Sequence, residues 1–211
     1  MSKIHFLSKP NKDVYLAFSG GVDSVVLLHA LNRRKYNVTL LTIDHGNEFA
    51  KQEVEFCKKT AKELGLEYKI FTIPDFDKST SLEAFWSNHR NDIFQKMDKM
   101  VVSGHHLNDA CEWYLMSTFQ GTPKLLEHIN RNVHRPMITN TKKVIIEYAN
   151  KYNLTYLTDP TNADTTYNLR NKVRAELMGS VKNCFPGIET TVKRLIVRKH
   201  LNKLNTIENR V

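Results

Sequence analysis

Val14-Tyr15-Leu16-Ala17-Phe18-Ser19-Gly20-Gly21-Val22-Asp23-Ser24-Val25-Val26-Leu27-Leu28-His29-Ala30-Leu31 is an apolar run, a small polar turn and a second apolar run. The first five residues are short-range apolar, β-branched and aromatic, and read as a buried strand. Residues 25–31 contain no Gly or Pro and read as a buried helix. Between them, Gly20 and Gly21 lack a Cβ, so the backbone can take unusual angles and an anion can approach it closely. Backbone N–H groups at a helix start, together with the helix dipole, favour a phosphate there. The hydroxyls of Ser19 and Ser24 add donors, and Asp23 can hold Mg²⁺ through its carboxylate oxygens. No Gly-Lys-Ser/Thr follows, so this is not a Walker A loop, nor is it the dinucleotide Gly-x-Gly-x-x-Gly pattern. The bland alternative is an ordinary strand–helix turn.

Outward from this turn the elements alternate. Residues 38–43 predict a second strand ending at Asp44-His45-Gly46, and residues 48–64 a helix with Phe49, Val54, Phe56, Ala61 and Leu64 at helical spacing. Gly65 supplies its stop. Residues 66–73 predict a third strand, and Thr80-Ser81-Leu82-Glu83 a capping box opening a helix to about residue 97. A fourth strand over residues 100–103, a helix over 108–118, a connection containing Gly and Pro, a helix over 141–152 and a short strand over 154–157 follow. Strands alternating with helices imply right-handed crossovers and an α/β fold, a parallel sheet with helices on both faces. Ligands of such sheets sit at the carboxyl ends of the strands. Residues 19–24, 44–46 and 104–106 all fall there.

The 211 residues, 41% hydrophobic, suffice for one full domain with a small appendage. We divide the chain at residues 1–160 and 161–211, the second part being a basic helical extension. No apolar run reaches membrane-span length and residues 1–13 lack a signal-peptide core. Cys57, Cys111 and Cys184 lie far apart without a Cys-x-x-Cys pair, so neither zinc knuckle nor disulfide framework is indicated and a cytoplasmic protein is expected. The net charge is +9, and residues 170–211 hold ten Lys or Arg against three acids. That concentration suits a polyanion such as RNA; a solvated helix face is the alternative.

Two further loops are candidate site elements. Asp44 and His45 end a strand beside the phosphate turn, placed to flank the adenosine part of a nucleotide, or His45 is a plain loop histidine. In Gly104-His105-His106-Leu107-Asn108-Asp109-Ala110-Cys111-Glu112, the carboxylates of Asp109 and Glu112 are three residues apart on one helix face, and His106 shares their rim. With no Lys or Arg nearby in sequence, the pair suits a metal or an ammonium group better than a structural salt bridge. Zinc is disfavoured by the oxygen-rich set. Two solvated helix acids are the remaining alternative.

Ser-Gly-Gly-Val-Asp-Ser at 19–24 resembles the pyrophosphate loop of the PP-loop ATP pyrophosphatases, and the ordered set of motifs resembles one family of them, the tRNA(Ile)-lysidine synthetases. His106-x-x-Asp109-x-x-Glu112 is similar to that family's His-x-x-Asp-x-x-Glu, and Asp44-His45-Gly46 to its His-Gly loop. Glu83-Ala84 with Arg90 falls where its third-helix motif has Glu-Ala and Arg, and Arg135-Pro136-Met137-Ile138 resembles its Arg-Pro-Leu-Leu. Asp159-Pro160-Thr161-Asn162, Tyr167 and Arg170-Asn171-Lys172-Val173-Arg174 resemble its Asp-x-Ser-Asn…Tyr-x-Arg-Asn-x-x-Arg element. The resemblance implies a Rossmann-like PP-loop fold and an ATP-dependent, Mg²⁺-dependent ligase. ATP adenylates the wobble cytidine of an isoleucine tRNA with a CAU anticodon, and free lysine displaces AMP to leave lysidine. It further implies ATP contacts at Ser19, Gly20, Gly21, Val22, Asp23, Ser24, Asp44, His45, Gly104 and His106. Catalytic roles fall to Asp23 (the Mg²⁺ ligand), Asp109 and Glu112. RNA or substrate contacts fall to Arg90, Arg135, Arg170, Asn171 and Arg174.

The chain departs from that pattern in places. Asn108 stands where the family often has a second Asp, Trp113 where it often has Thr, and Ser87 and Asn91 replace an Arg and a Tyr. One extra residue separates Tyr167 from Arg170-Asn171, and the sequence ends at Val211, where longer members continue into domains that grip the acceptor stem. Ile188, Val192, Leu195 and Ile196 predict an amphipathic basic closing helix instead. The alternatives are another PP-loop RNA-modifying or amide-forming enzyme, or a catalytically silent nucleotide-dependent RNA-binding module.

Overall fold

The computed structural model describes residues 3–74, 76, 81–165 and 168–208. Strands β1 (Asp13–Ala17), β2 (Asn37–Asp44), β3 (Glu67–Thr72) and β4 (Val101–Val102) run parallel, with order β3-β2-β1-β4. The crossovers are α1 (Val22–Asn32), α2 (Glu48–Leu64) and α3 (Leu82–Gln95), and α4 (Leu107–Phe119) follows β4. Successive strand residues point to opposite faces, and the core divides accordingly. Val14, Leu16 and Phe18 pack with Val26 and Leu27 of α1, Cys57 of α2 and Ile145 of α5 (Lys142–Lys151). Tyr15, Leu41 and Ile43 face Phe85 and Phe94 of α3 on the other side. Helices therefore cover both faces, as expected.

Four details differ from the expectation. The connection after α4 holds a hairpin, β5 (Ile129–Asn130) and β6 (Val133–His134), turned by Arg131 at φ +50°. β6 extends the sheet parallel to β4, and β5 is antiparallel to β6. Strands of two residues carry no periodicity, so the pattern is invisible locally. The strand expected over residues 154–157 is reduced to one bridge, Gly21 with Leu157, whose N–H donates to Gly20 O at 2.8 Å. The α3 cap is Ser81, accepting from Ala84 N–H at 3.2 Å, one residue later than the capping-box expectation; Thr80 lies outside the described residues. In α2 the buried stripe is Ala50, Cys57 and Ala61, while Leu64 is exposed.

The carboxyl-terminal segment runs through α6 (Leu169–Lys172), a π-helical turn (Val173–Leu177), α7 (Met178–Cys184) and α8 (Ile188–Glu208). Met178, Val192 and Ile196 pack with Leu107, Ala110 and Cys111 of α4, and with Ile138. This third core clamps α4 and so fixes the acids that α4 carries. Among the described residues no helix is long and apolar enough to cross a membrane.

Candidate active site

β1 lies between β2 and β4, so the chain leaves its two flanks in opposite directions and a crevice opens at their carboxyl ends. Gly20 turns the chain there with φ +74°, a value that suits glycine. A Cβ at Gly20 would also stand 2.9 Å from Phe56 Cδ1. Gly21 caps α1 without a side-chain bond, Ser19 Oγ accepts from Gly21 N–H at 3.3 Å, and Ser24 Oγ donates to Gly21 O at 2.9 Å. The N–H groups of Val22, Asp23 and Ser24 lie in the first turn, where helix geometry supplies no acceptor and the dipole adds positive charge.

The loop after β4 closes against this turn. A Cβ on Gly104 would lie 3.0 Å from the carbonyl carbon of Asp23 and 3.1 Å from its oxygen. Gly104 thus acts by permitting that approach. His106 caps α4 reciprocally: its Nδ1 accepts from Asp109 N–H at 3.4 Å, and its own N–H donates to Asp109 Oδ2 at 2.8 Å. Accepting at Nδ1 puts the ring proton on Nε2, which faces Asp23 Oδ1 at 3.5 Å.

Lys142, absent from the sequence reading, donates through Nζ to both Asp23 oxygens at 2.8 Å. Its backbone N–H donates to Asn108 Oδ1 at 2.8 Å, and Asn108 Nδ2 donates to Glu189 Oε1 at 3.0 Å. Asn108 therefore ties the starts of α4, α5 and α8 together, a role a second Asp would fill less well opposite Glu189. Asp23 fits Mg²⁺ as a single carboxylate ligand beside phosphate oxygens, the usual arrangement for that ion. Among the described residues there is no group of three or more His, Cys, Asp or Glu able to hold a metal. Among the described residues the ion would rest on Asp23 and phosphate oxygens rather than in a protein cage.

The acidic pair corrects the expectation. Asp109 and Glu112 are buried, 8% and 3% exposed, and are engaged by arginines rather than open to a metal or an ammonium group. Glu112 accepts from Arg170 Nε at 2.9 Å, Arg174 Nε at 2.8 Å and Arg174 Nη2 at 2.9 Å. Asp109 Oδ1 accepts from Arg170 Nη2. Burial alone would raise the Asp109 pKa; His106, Arg170 and His105 together outweigh it and hold the carboxyl at about 2. Hydrogen bonding to Glu112 raises the Arg174 pKa. These partners lie 58 to 62 residues apart in the chain, which is why no local charge pattern revealed them. Asn171 is likewise committed, its Nδ2 donating to Thr161 O at 2.7 Å and Asp164 O at 3.0 Å. Tyr167 lies outside the described residues.

His45 packs on Trp86 with ring centroids 4.9 Å apart, and burial, then Arg90, lowers its pKa to about 4. Asp44 Oδ1 instead accepts from Gly46 N–H at 2.9 Å, shaping the turn. His45, Ser19, Asp23 and Ser24 line a cavity of about 380 Å³ with Phe18 and Ile43 as apolar wall. Glu53 of α2 also lines it, its carboxyl pushed up to about 8 by burial, then by Asp159 and Asp44.

A second cavity of about 610 Å³ lies between α3, α4 and the β5–β6 hairpin, with Arg135 in its wall. Arg90, Phe94, His105, Asp109 and Arg170 line both cavities, so they adjoin. His105 Nδ1 is 2.9 Å from Ser103 Oγ, and burial, then Arg135, hold its pKa well below the ordinary range. Arg135 is 9% exposed; its Nη1 donates to Glu127 O at 2.9 Å, and its Nε has no acceptor among the described residues. Burial, then Arg90, pull the Arg135 pKa down to about 10.

A model of the PP-loop domain matches residues 2–181. The tRNA(Ile)-lysidine synthase of Thermosipho africanus is 31% identical over 208 residues, covering 90% of this chain and 48% of its own. That of Clostridioides difficile is 30% identical over 211 residues, covering 90% and 46%. The chain thus spans about half the length of the curated relatives it matches. The solved NH3-dependent NAD synthetase from Campylobacter jejuni is 18% identical, with a TM-score of 0.47 over 90% of this chain and 86% of that one. Because the domain match covers residues 2–181 and takes in the glycine turn, Asp109 and Glu112 of α4, and Arg170 and Arg174, the chain belongs to the PP-loop domain family.

Proposed function

We propose that the protein is an ATP-dependent tRNA-modifying ligase of the cytoplasm that adenylates the wobble cytidine of an isoleucine tRNA and joins lysine to it. The observation that carries this reading is the junction of the two cavities: a nucleotide held over Ser19, Asp23 and Ser24 meets an arginine-lined space at Asp109 and His105. Residues 1–160 would form the ATP-binding catalytic part, and the basic segment 161–211 would add RNA contacts. That relatives at 30–31% identity are tRNA(Ile)-lysidine synthases supports tRNA(Ile) as the RNA, and lysidine as their product supports lysine as the amine.

In this reading the N–H groups of residues 22–24 and the Lys142 ammonium receive the phosphates, aided by the helix dipole. Asp23 would hold Mg²⁺, which when bound neutralises phosphate charge. His106 keeps the Asp23 carboxylate oriented. The cytidine carbonyl oxygen, a poor leaving group, attacks the α-phosphorus, and pyrophosphate departs toward the α1 start. The lysine amine then bonds to the ring carbon, the carbon–oxygen bond to AMP breaks, and the amine proton passes to solvent. Asp109, held at about 2, is a poor proton acceptor, so its contribution is to position Arg170 at the cavity junction. Glu112 does the same for Arg170 and Arg174.

Incubation with bulk tRNA, ATP and labelled lysine tests this reading. Pyrophosphate release that depends on RNA, with label entering RNA, is expected; ATP binding without turnover would instead favour the silent RNA-binding module.

A further inference from the structure

Asp109, Trp113 and Met116 lie on one stripe of α4 and all three line the larger cavity. Glu112, on the same face as Asp109, is taken up by Arg170 and Arg174 and does not line this cavity. Trp113 is 44% exposed, a large aromatic ring left half in water at a cavity wall. The cavity carries Arg90, Lys124, Arg135, Arg170 and Lys199 against two acids, Asp109 and Glu127. Both acids are already ion-paired, Asp109 with Arg170 and Glu127 with Lys199 at 2.6 Å. A cationic side chain would meet net positive charge there. A flat, neutral group bearing carbonyl oxygens, attached to phosphates, would meet an aromatic face, an arginine N–H nine-tenths buried without an acceptor among the described residues, and cations for its backbone.

We propose that Trp113 is the stacking platform for an unpaired RNA nucleobase extruded into this cavity, with Arg135 Nε–H donating to the base edge. The inference rests on the RNA reading of the same site and names the residue that makes it selective for an unstacked base. Extruded bases are held by stacking on aromatic side chains and by bonds to their exposed edges. The space of about 610 Å³ admits a base with its ribose. A free amino acid is the competing occupant, disfavoured by the net charge.

The test is binding of two RNA hairpins of identical stem and loop size by the full chain without ATP, one with an intact CAU loop and one abasic at its cytidine. Wild type is expected to prefer the intact hairpin. Trp113→Ala should weaken that complex about 5- to 150-fold, the equivalent of 1–3 kcal/mol for one stacked base, and leave the abasic complex unchanged. Trp113→Phe should retain most of the preference. Equal loss on both hairpins, or no loss, overturns the platform, and so does lysine competing with the intact hairpin for the site. If wild type binds neither hairpin, the RNA reading itself falls; if it prefers the intact hairpin while Trp113→Ala does so equally, only the platform falls.

Discussion

Glu112→Gln probes the buried network that sets the cavity junction. Glu112 is 3% exposed and accepts three guanidinium N–H bonds of 2.8–2.9 Å. Glutamine keeps one carbonyl acceptor but presents an amide N–H₂ to arginine donors, and it removes the charge that balances them. Breaking a buried ion pair by deleting one partner costs about 3–5 kcal/mol. The arginine side chains are 33% and 41% exposed, so water recovers part of this. We expect a loss of about 2–4 kcal/mol. For a domain of this size that lowers Tm by about 5–12 °C, read by thermal unfolding under circular dichroism at pH 7. The Glu112→Leu/Arg174→Met double variant should lose less than the sum of its single changes, since removing both partners leaves no stranded charge. Because Arg170 also touches Asp109, both half-reactions should decline together in Glu112→Gln. A Tm within about 2 °C of wild type would refute the network's structural role.

Three other outcomes follow from the geometry. Asp23→Asn should abolish pyrophosphate release while leaving the circular dichroism spectrum unchanged, because the side chain is part-exposed and its partners are Lys142 and His106; normal turnover would remove Asp23 from the site. Gly104→Ala places a methyl 3.0 Å from main-chain carbon of Asp23, which cannot rotate away; a loss of about 1–3 kcal/mol and a raised KM for ATP are expected by unfolding and steady-state assays. Glu53 is an acid whose pKa is raised in the folded state from 4.5 to about 8. The folded chain therefore holds the proton, and this group's contribution is greatest below about pH 4.5 and is lost as pH rises toward 8. Glu53→Gln should match wild-type Tm near pH 4 and exceed it at pH 9; equal Tm values at both pH values would show that the carboxyl titrates normally.

The glycine turn, the α/β alternation and the gathering of residues 19–24, 44–46 and 104–106 at the carboxyl ends of the strands were legible locally. Each depends on near neighbours: two glycines between apolar runs, helical spacing in residues 48–64, and strand ends that a parallel sheet must align. What surrounds those residues was not legible. Lys142 meets Asp23 across 119 positions, and Arg170 and Arg174 meet Glu112 across 58 and 62. The sequence placed Asp109 and Glu112 on one helix face but could not say what faced them, and so suggested a metal or an ammonium group where the folded chain puts guanidinium. The β5–β6 hairpin, too short for periodicity, and the cavity it walls beside Trp113 appear only on folding. Periodicity records which way a residue points relative to its own helix or strand. Which distant charge stands opposite is set by the order in which crossovers lay the strands side by side and by the core that docks the last helices onto α4.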